Sequence, residues 1–266
     1  MKQVVIKYSK IYLIFFKNSV AELGSHRFNL LMSAVGNIVW TFSQVVTLQF
    51  LFQRINSFDG WSINDMILLL AFGQIFAYTM FIFYFDNHVE LQTKTVLGEL
   101  DMYLTKPLNL KFFLSFASVS VAQFIPFFVA VLPLLIIGVR DLRAVGLLDI
   151  IFCITVFMIG VIAMFFLSLS IAGLNFFTDD ASSVRDIVMN SMDLNRIPIS
   201  ILPSPAQFVF IFAIPIAFVT YYPVLILKSS QNMFLIILAG LIVLISFYLL
   251  SKIIWNQGLK RYSGAG

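Results

Sequence analysis

Residues 148–177 read LDIIFCITVFMIGVIAMFFLSLSIAGLNFF, and Asp149 is the one charged side chain in the stretch. A helix that crosses a bilayer needs roughly 20 mostly apolar residues, so this run is long enough to span. A membrane β-barrel would instead show segments of about ten residues with alternating polarity. Apolar runs of similar kind recur at about 28–52, 63–85, 112–139 and 231–251. Across the chain 60% of residues are hydrophobic and 11% charged, with a mean hydropathy of +0.96. Soluble domains carry about 25% charged residues, so too little charge remains here to cover a water-facing surface. The chain is predicted to be an all-α polytopic membrane protein, residues 1–266 forming one transmembrane domain without a soluble part.

The ends of the runs carry the basic residues. Residues 1–27 hold five Lys or Arg, 86–111 hold three and the tail from Lys252 holds three, against one at 53–62 and two at 140–147. By the positive-inside rule both termini face the cytoplasm, which requires an even number of spans, and six is the natural count. Residues 1–27 are predicted to form an interfacial helix, the alternative being the frayed start of the first span. At 100° per residue Lys7, Lys10 and Lys17 fall within about 80° of arc, with Ile11, Ile14 and Phe15 around the remainder. Those lysines, and the lack of an A-x-A-like site, mark the N-terminus as retained rather than cleaved. Pro126 and Pro133 are expected to kink the third span. Cys153, the single cysteine, lies in an apolar run and reads as a small packing residue, without a disulfide framework or thiolate metal cluster.

Two choices exist for the fifth span. Hydropathy favours 206–227. The alternative is that 180–200 crosses and 206–227 dips into the outer leaflet and returns. Arg185, Asp186, Asp193 and Arg196 in 180–200 each cost up to about 3 kcal/mol at the bilayer centre, less when paired or facing water. Pro203, Pro205, Pro215 and Pro223 favour short helices over one clean span in the later region. Periodicity leaves both open.

The segment 86–111 (DNHVELQTKTVLGELDMYLTKPLNLK) separates the second and third runs. Val89, Val96, Leu97, Leu100, Tyr103 and Leu104 recur at three- and four-residue spacing and define an apolar face on one helix or a pair of short ones, with Gly98 between. Glu90, Lys94, Glu99 and Asp101 alternate with them, and Pro107 ends the run. The segment carries four acidic and three basic residues, a poor match for an anionic leaflet and a better one for the groove of a protein partner.

Gly98-Glu-Leu100-Asp101-Met-Tyr-Leu104-Thr-Lys106-Pro107 resembles the G-x-L-D-x-x-L-x-K-P motif of the six-span ABC-2 type permeases of ATP-binding cassette transporters. Gly60-Trp61-Ser62 before the second span is similar to that family. So are Ile214-Pro215 with Tyr221-Tyr222-Pro223, and the ending Trp255-x-x-Gly258-Leu259-x-Arg261-Tyr262-Ser-Gly-Ala-Gly266, which reads as a natural tail. The resemblance implies a permease subunit of the bacterial cytoplasmic (inner) membrane. It would act with a second permease copy, identical or related, and with two cytoplasmic ABC ATPase subunits that hold the ATP and magnesium. It implies a cytoplasmic coupling helix at 88–106, with Gly98, Leu100, Asp101, Lys106 and Pro107 carried over onto the motif, and Glu90, Leu97 and Leu104 of the same amphipathic segment complete the expected ATPase-coupling residues. It makes 180–200 the fifth span and 203–227 re-entrant at the outer mouth, marked by Pro203, Pro205, Pro215 and Pro223. Arg185, Asp186, Asn190 and Asp193 become candidate pathway residues, and export is the implied direction. On this reading Leu100→Asp should uncouple ATP hydrolysis from transport without affecting membrane insertion.

No Gly-x-x-x-x-Gly-Lys-Ser/Thr run occurs in the chain, so a P-loop for ATP is absent and hydrolysis is expected on a partner. No catalytic, cofactor or metal residues are assigned. His26 and His88 lack a carboxylate arrangement for metal ligation and read as interface residues. Ser168 and Ser170 read as packing residues beside Gly160 and Gly173. The basic residues flank apolar runs, so nucleic acid is not an expected partner. Two rival functions are an ion-coupled secondary transporter, which normally carries an ionisable residue at mid-span, and a non-transporting anchor or assembly protein. Asp186 and Asp193 are the carboxylates nearest to a mid-span position.

Overall fold

The computed structural model describes residues 2–22, 27–55, 57–140, 142, 145–178, 180–228 and 232–262. His26 lies outside these residues. The helices are α1 (Lys2–Glu22), α2 (Arg27–Phe52), α3 (Ile63–Phe83), α4 (Phe85–Val96), α5 (Leu100–Leu104), α6 (Leu110–Phe116), α7 (Phe124–Gly138), α8 (Leu147–Leu174), α9 (Ser182–Ser191), α10 (Ser204–Phe208), α11 (Tyr221–Lys228) and α12 (Met233–Arg261). Among the described residues there is no strand, only an isolated bridge between Phe58 and Trp61. Among the described residues five helical stretches are long and apolar enough to cross a bilayer: Leu31–Phe52, Ile63–Phe83, Val121–Gly138, Leu147–Leu174 and Met233–Arg261. A sixth follows if Ser204–Ala213 and Ile216–Lys228, bent by 76° at Ile214-Pro215, count as one.

The 180–200 stretch, expected as the fifth span, is not among these five. It consists of α9, a 3-10 turn over Met192–Arg196 and a second 3-10 turn over Ile199–Ile201. Pro198 separates the two turns, because proline offers no N–H to continue a helix. The third span also differs from a continuous kinked helix over 112–139. It is divided into α6 and α7, and the break lies at Ala117–Ser120, ahead of Pro126. Pro126 falls in the first turn of α7, where its missing N–H costs nothing. The exposed backbone of the break is satisfied by side chains and one carbonyl. Ser118 N–H donates to Asn87 Oδ1 (3.0 Å), and Asn87 Nδ2 donates to Ser118 O (2.8 Å). Val119 N–H donates to Ser19 Oγ (3.0 Å), and Ser120 N–H to Ile82 O (3.0 Å). Irregular backbone at this depth needs such internal partners, since lipid offers none.

Lipid tails are as apolar as leucine, so helix association here rests on close packing. The most extensive pair is α8 with α12. Gly160 on α8 meets the backbone of the bent pair: a Cβ built there would lie 2.7 Å from Phe218 C and 2.8 Å from Val219 Cγ1. Around this contact Phe76, Val156, Met164, Phe218, Val219 and Val243 form the central core.

The two ends of the bundle are built differently. At one end, the α2–α3 loop turns through Asp59-Gly60, and Ser62 caps α3, its hydroxyl accepting from Asp65 N–H while Asp65 accepts from Ser62 N–H. Lys228, closing α11, pairs with Asp65 Oδ2 at 2.7 Å, donates to Gly60 O and lies 4.8 Å from the centre of the Trp61 ring. At the other end α4, α5 and α6 form a layer across the ends of α8 and α12. Helix α1 runs beside α6 in parallel, with Lys7 Nζ donating to Pro107 O (3.1 Å), Asn109 N–H donating to the Tyr8 hydroxyl (3.0 Å) and the Tyr8 and Phe112 rings 4.7 Å apart.

Candidate functional site

The α4–α5 pair has two faces. Gly98 sits between the helices at φ +72°, a conformation that side chains with a Cβ rarely adopt, and it turns the chain so that two short helices replace one. The inner face carries Leu91 and Leu100. Leu100 is 0% exposed and packs with Leu91, Leu114, Leu169, Ala172, Phe176 and Trp255. Trp255 Nε1 donates to Leu169 O at 2.8 Å, which ties α12 to α8 at this level. The outer face carries Leu97 (61% exposed), Met102 (58%) and Leu104 (47%). Glu90, Asp101, Lys106 and Pro107 are exposed around them. Glu90 pairs with Lys94 at 3.0 Å, and the Lys94 and Lys106 ammonium groups lie 5.2 and 4.8 Å from the centre of the Tyr103 ring.

The expected docking face is therefore corrected in one respect. Leu100 points into the protein, whereas Leu97, just ahead of the motif, and Leu104 within it face outward. Three- and four-residue periodicity identified an apolar face but could not tell which members of it the bundle itself would cover.

His88 is a residue whose role the sequence did not disclose. It is buried, with Nδ1 2.8 Å from Ser168 Oγ and Nε2 3.0 Å from Ser115 Oγ. Hydroxyls accept or donate as needed, so the pair suits either neutral tautomer. Ser168 is thus a histidine partner rather than a packing residue, while Ser170 bonds back to Phe166 O at 2.7 Å. Burial pushes the imidazole down from 6.5 to about 3. Between those values the unfolded chain binds a proton that the folded chain refuses. The contribution of neutral His88 is full above the unfolded value and is lost as pH falls toward the folded one. The thermal midpoint of the detergent-solubilised protein is expected to fall as pH drops below 6.5. The fall should be shallower in His88→Asn, and equal slopes in the two proteins would contradict this assignment.

The structure disperses the four candidate pathway residues. Arg185 turns toward α4, 3.4 Å from Gln92 Oε1, and Gln92 Nε2 donates to Asp180 Oδ1 at 2.8 Å. Asp186, 3.6 Å from Arg185 Nε, and Asn190 are exposed. Asp193 alone of the four lines a polar cavity between α2, α3 and the 3-10 turn after α9, where it pairs with Arg196 at 2.6 Å. The four prolines mark helix starts and the bend, as expected from their missing N–H: Pro203 precedes α10, Pro205 lies in its first turn, Pro215 occupies the bend and Pro223 lies in the first turn of α11. Among the described residues no group of three or more His, Cys, Asp or Glu is placed to hold a metal ion.

A bundle with long apolar helices, a bent proline-marked pair inserted against α8 and an amphipathic helix pair across one end defines a polytopic membrane protein with a specialised end surface. A family described as ABC-2 family transporter protein matches residues 38–266. The chain belongs to that family and is an ABC transporter permease. Searches of curated proteins and of solved structures find no match.

Proposed function

We propose that this permease is the membrane subunit of an exporter in the bacterial cytoplasmic membrane, paired with a second permease copy and driven by two cytoplasmic ATPases. The observation that carries the reading is the division of α4–α5. Its outer side presents Leu97, Met102 and Leu104 within a rim of Glu90, Asp101, Lys106 and Pro107, and its inner side is locked to α8 and α12 through Leu100 and Trp255. A force applied outside is thereby transmitted to two spanning helices. An exposed apolar cluster with a charged rim has the make-up of a protein contact. ATP and magnesium belong to the partner.

In this arrangement both termini and the α4–α6 layer are cytoplasmic, and the Lys228–Asp65 end is external. The 180–200 stretch is the fifth crossing. Asp180 meets Gln92 at the inner end, while Ser200 lies beside Tyr221 at the outer end. Ten α-helical and five 3-10 residues rise about 25 Å, and the flanking turns extend this toward the hydrocarbon thickness of about 30 Å. Residues 203–227 then enter and leave from the outside. Closure of the ATPases around ATP pushes α4–α5, and α8 and α12 carry the movement toward the interface between the two permeases.

Met102→Asp tests the docking surface. It places a charge at an exposed position, so membrane insertion and yield should be unchanged. Co-purification of the ATPase should fall about tenfold or more, as at an interface hot spot. Full recovery of the ATPase with this variant would contradict the assignment.

A further inference from the structure

Two cavities beside α2 share a wall. The first, about 330 Å³, lies between α2, α3 and the 3-10 turn after α9, and its polar lining includes Asn37, Gln44, Gln74, Tyr78, Gln123, Asp193 and Arg196. The second, about 490 Å³, lies nearer the Trp61 end and is lined mainly by Leu48, Leu51, Phe52, Phe58, Met66 and Ile197. Trp40, Gln44, Leu70 and Arg196 line both. Arg196 is fixed at the junction. Its guanidinium pairs with Asp193 at 2.6 Å and stacks 5.1 Å from the centre of the Trp40 ring. With its amide oxygen turned toward the guanidinium, Gln44 accepts from Arg196 (3.3 Å) and from Trp40 Nε1 (2.7 Å). The Gln74 amide is 3.2 Å from that of Gln44.

We infer that these cavities are the two halves of one binding site for an amphiphile, with an uncharged hydrogen-bonding head in the first and an apolar tail in the second. The inference rests on the permease reading and adds a class of cargo to it. Asp193 and Arg196 neutralise each other, so the head chamber carries no net charge. An ionic head would have to break that pair or stand beside it without a counter-charge. The four amides offer both donors and acceptors, which suits hydroxyl or amide groups. The second chamber is apolar except for Ser43, Thr47, Gln44 and Arg196 near the shared wall, and it excludes a polar tail. Sites of this kind combine an apolar lining with a few placed polar groups, and these cavities fall in the usual size range.

The test uses the full chain in phosphatidylcholine nanodiscs, without ATPase or ATP, and photoreactive decyl probes bearing a glucoside, a carboxylate or a trimethylammonium head. Adducts are mapped by mass spectrometry. The glucoside probe is expected to label residues 48–66 and Ile197 about fivefold more than either ionic probe, the discrimination of roughly one hydrogen bond. Gln74→Leu should remove that advantage. Gln74→Glu, which puts an uncompensated negative charge in the head chamber, should turn the preference to trimethylammonium, a gain that a misfolded variant cannot produce. Equal labelling by the three heads, or an unchanged preference in Gln74→Glu, would overturn the inference. Absence of adducts together with disulfide cross-linking of Trp40→Cys between copies would assign the space to a second permease and overturn it also. Because no ATPase takes part, failure of the ATPase assignment would leave these outcomes unaltered.

Discussion

Leu100→Asp is expected to abolish accumulation of folded protein. A docking leucine would tolerate an aspartate with only partner binding lost, but Leu100 is fully buried between Leu91, Leu114, Leu169 and Trp255. The substitution removes an apolar side chain and leaves an unpaired carboxylate among apolar neighbours, a change of about 3–5 kcal/mol or more. Folded domains have a margin of about 5–15 kcal/mol, and the α4–α6 layer draws on only part of it. Leu100→Met, nearly volume-conserving, should cost less than about 1.5 kcal/mol. Fluorescence-detected size exclusion of the tagged variants checks both. A monodisperse Leu100→Asp protein that still melts at the wild-type temperature would show that Leu100 is not the anchor described here. The pair Leu100 and Met102 therefore separates two failures, with loss of fold at the inner face and loss of the partner at the outer one.

The second large effect is expected at Gly160. The bent pair approaches α8 so closely that a single added carbon would lie under 3 Å from the Phe218 backbone and the Val219 side chain. Backbone cannot swing aside as the end of a flexible side chain can, so Gly160→Val must push the bend away from α8. Overpacking of this kind costs about 1–3 kcal/mol, occasionally more. Here it also opens the contact that holds Ile216–Thr220 in the core, all of which are buried. Hydrogen exchange of a peptide covering residues 214–224 should rise in Gly160→Val, while exchange in α4 stays at the wild-type level. Unchanged protection of that peptide would mean that Gly160 does not set the position of the bend. Lys228 holds the other end of the pair through Asp65, so displacement should stop short of α11.

The spanning helices were legible because their signal is composition itself: α2, α3, α8 and α12 begin within about two residues of the starts of their apolar runs. The bend at Ile214-Pro215 was legible through its prolines, while the choice between 180–200 and 206–227 as the fifth span rests on the family resemblance. What stayed hidden depends on contacts between distant positions. The break at Ala117–Ser120 requires Asn87, Ser19 and Ile82 to meet its backbone. The hint in the sequence was a small, polar ASVS stretch just ahead of Pro126. The His88–Ser115–Ser168 group joins three elements and has no local signature. Leu100 and Leu97 are only three residues apart on one apolar stripe, yet the turn at Gly98 sends one inward and one outward. Of the candidate pathway residues only Asp193 reaches the polar cavity. Its neighbours there, Gln44 and Gln74, are uncharged residues inside apolar runs, where charge-based reading does not look.

The central claim, that this permease works as a pair driven by separate ATPases bound at α4–α5, is tested most directly by intact-mass analysis of the tagged chain purified in mild detergent from its native host. The account predicts two permease copies with two ATPase subunits, and loss of the ATPases alone in the Met102→Asp variant. Recovery of the chain by itself, under conditions that keep other membrane complexes whole, would contradict it and favour an ion-coupled transporter or a membrane anchor.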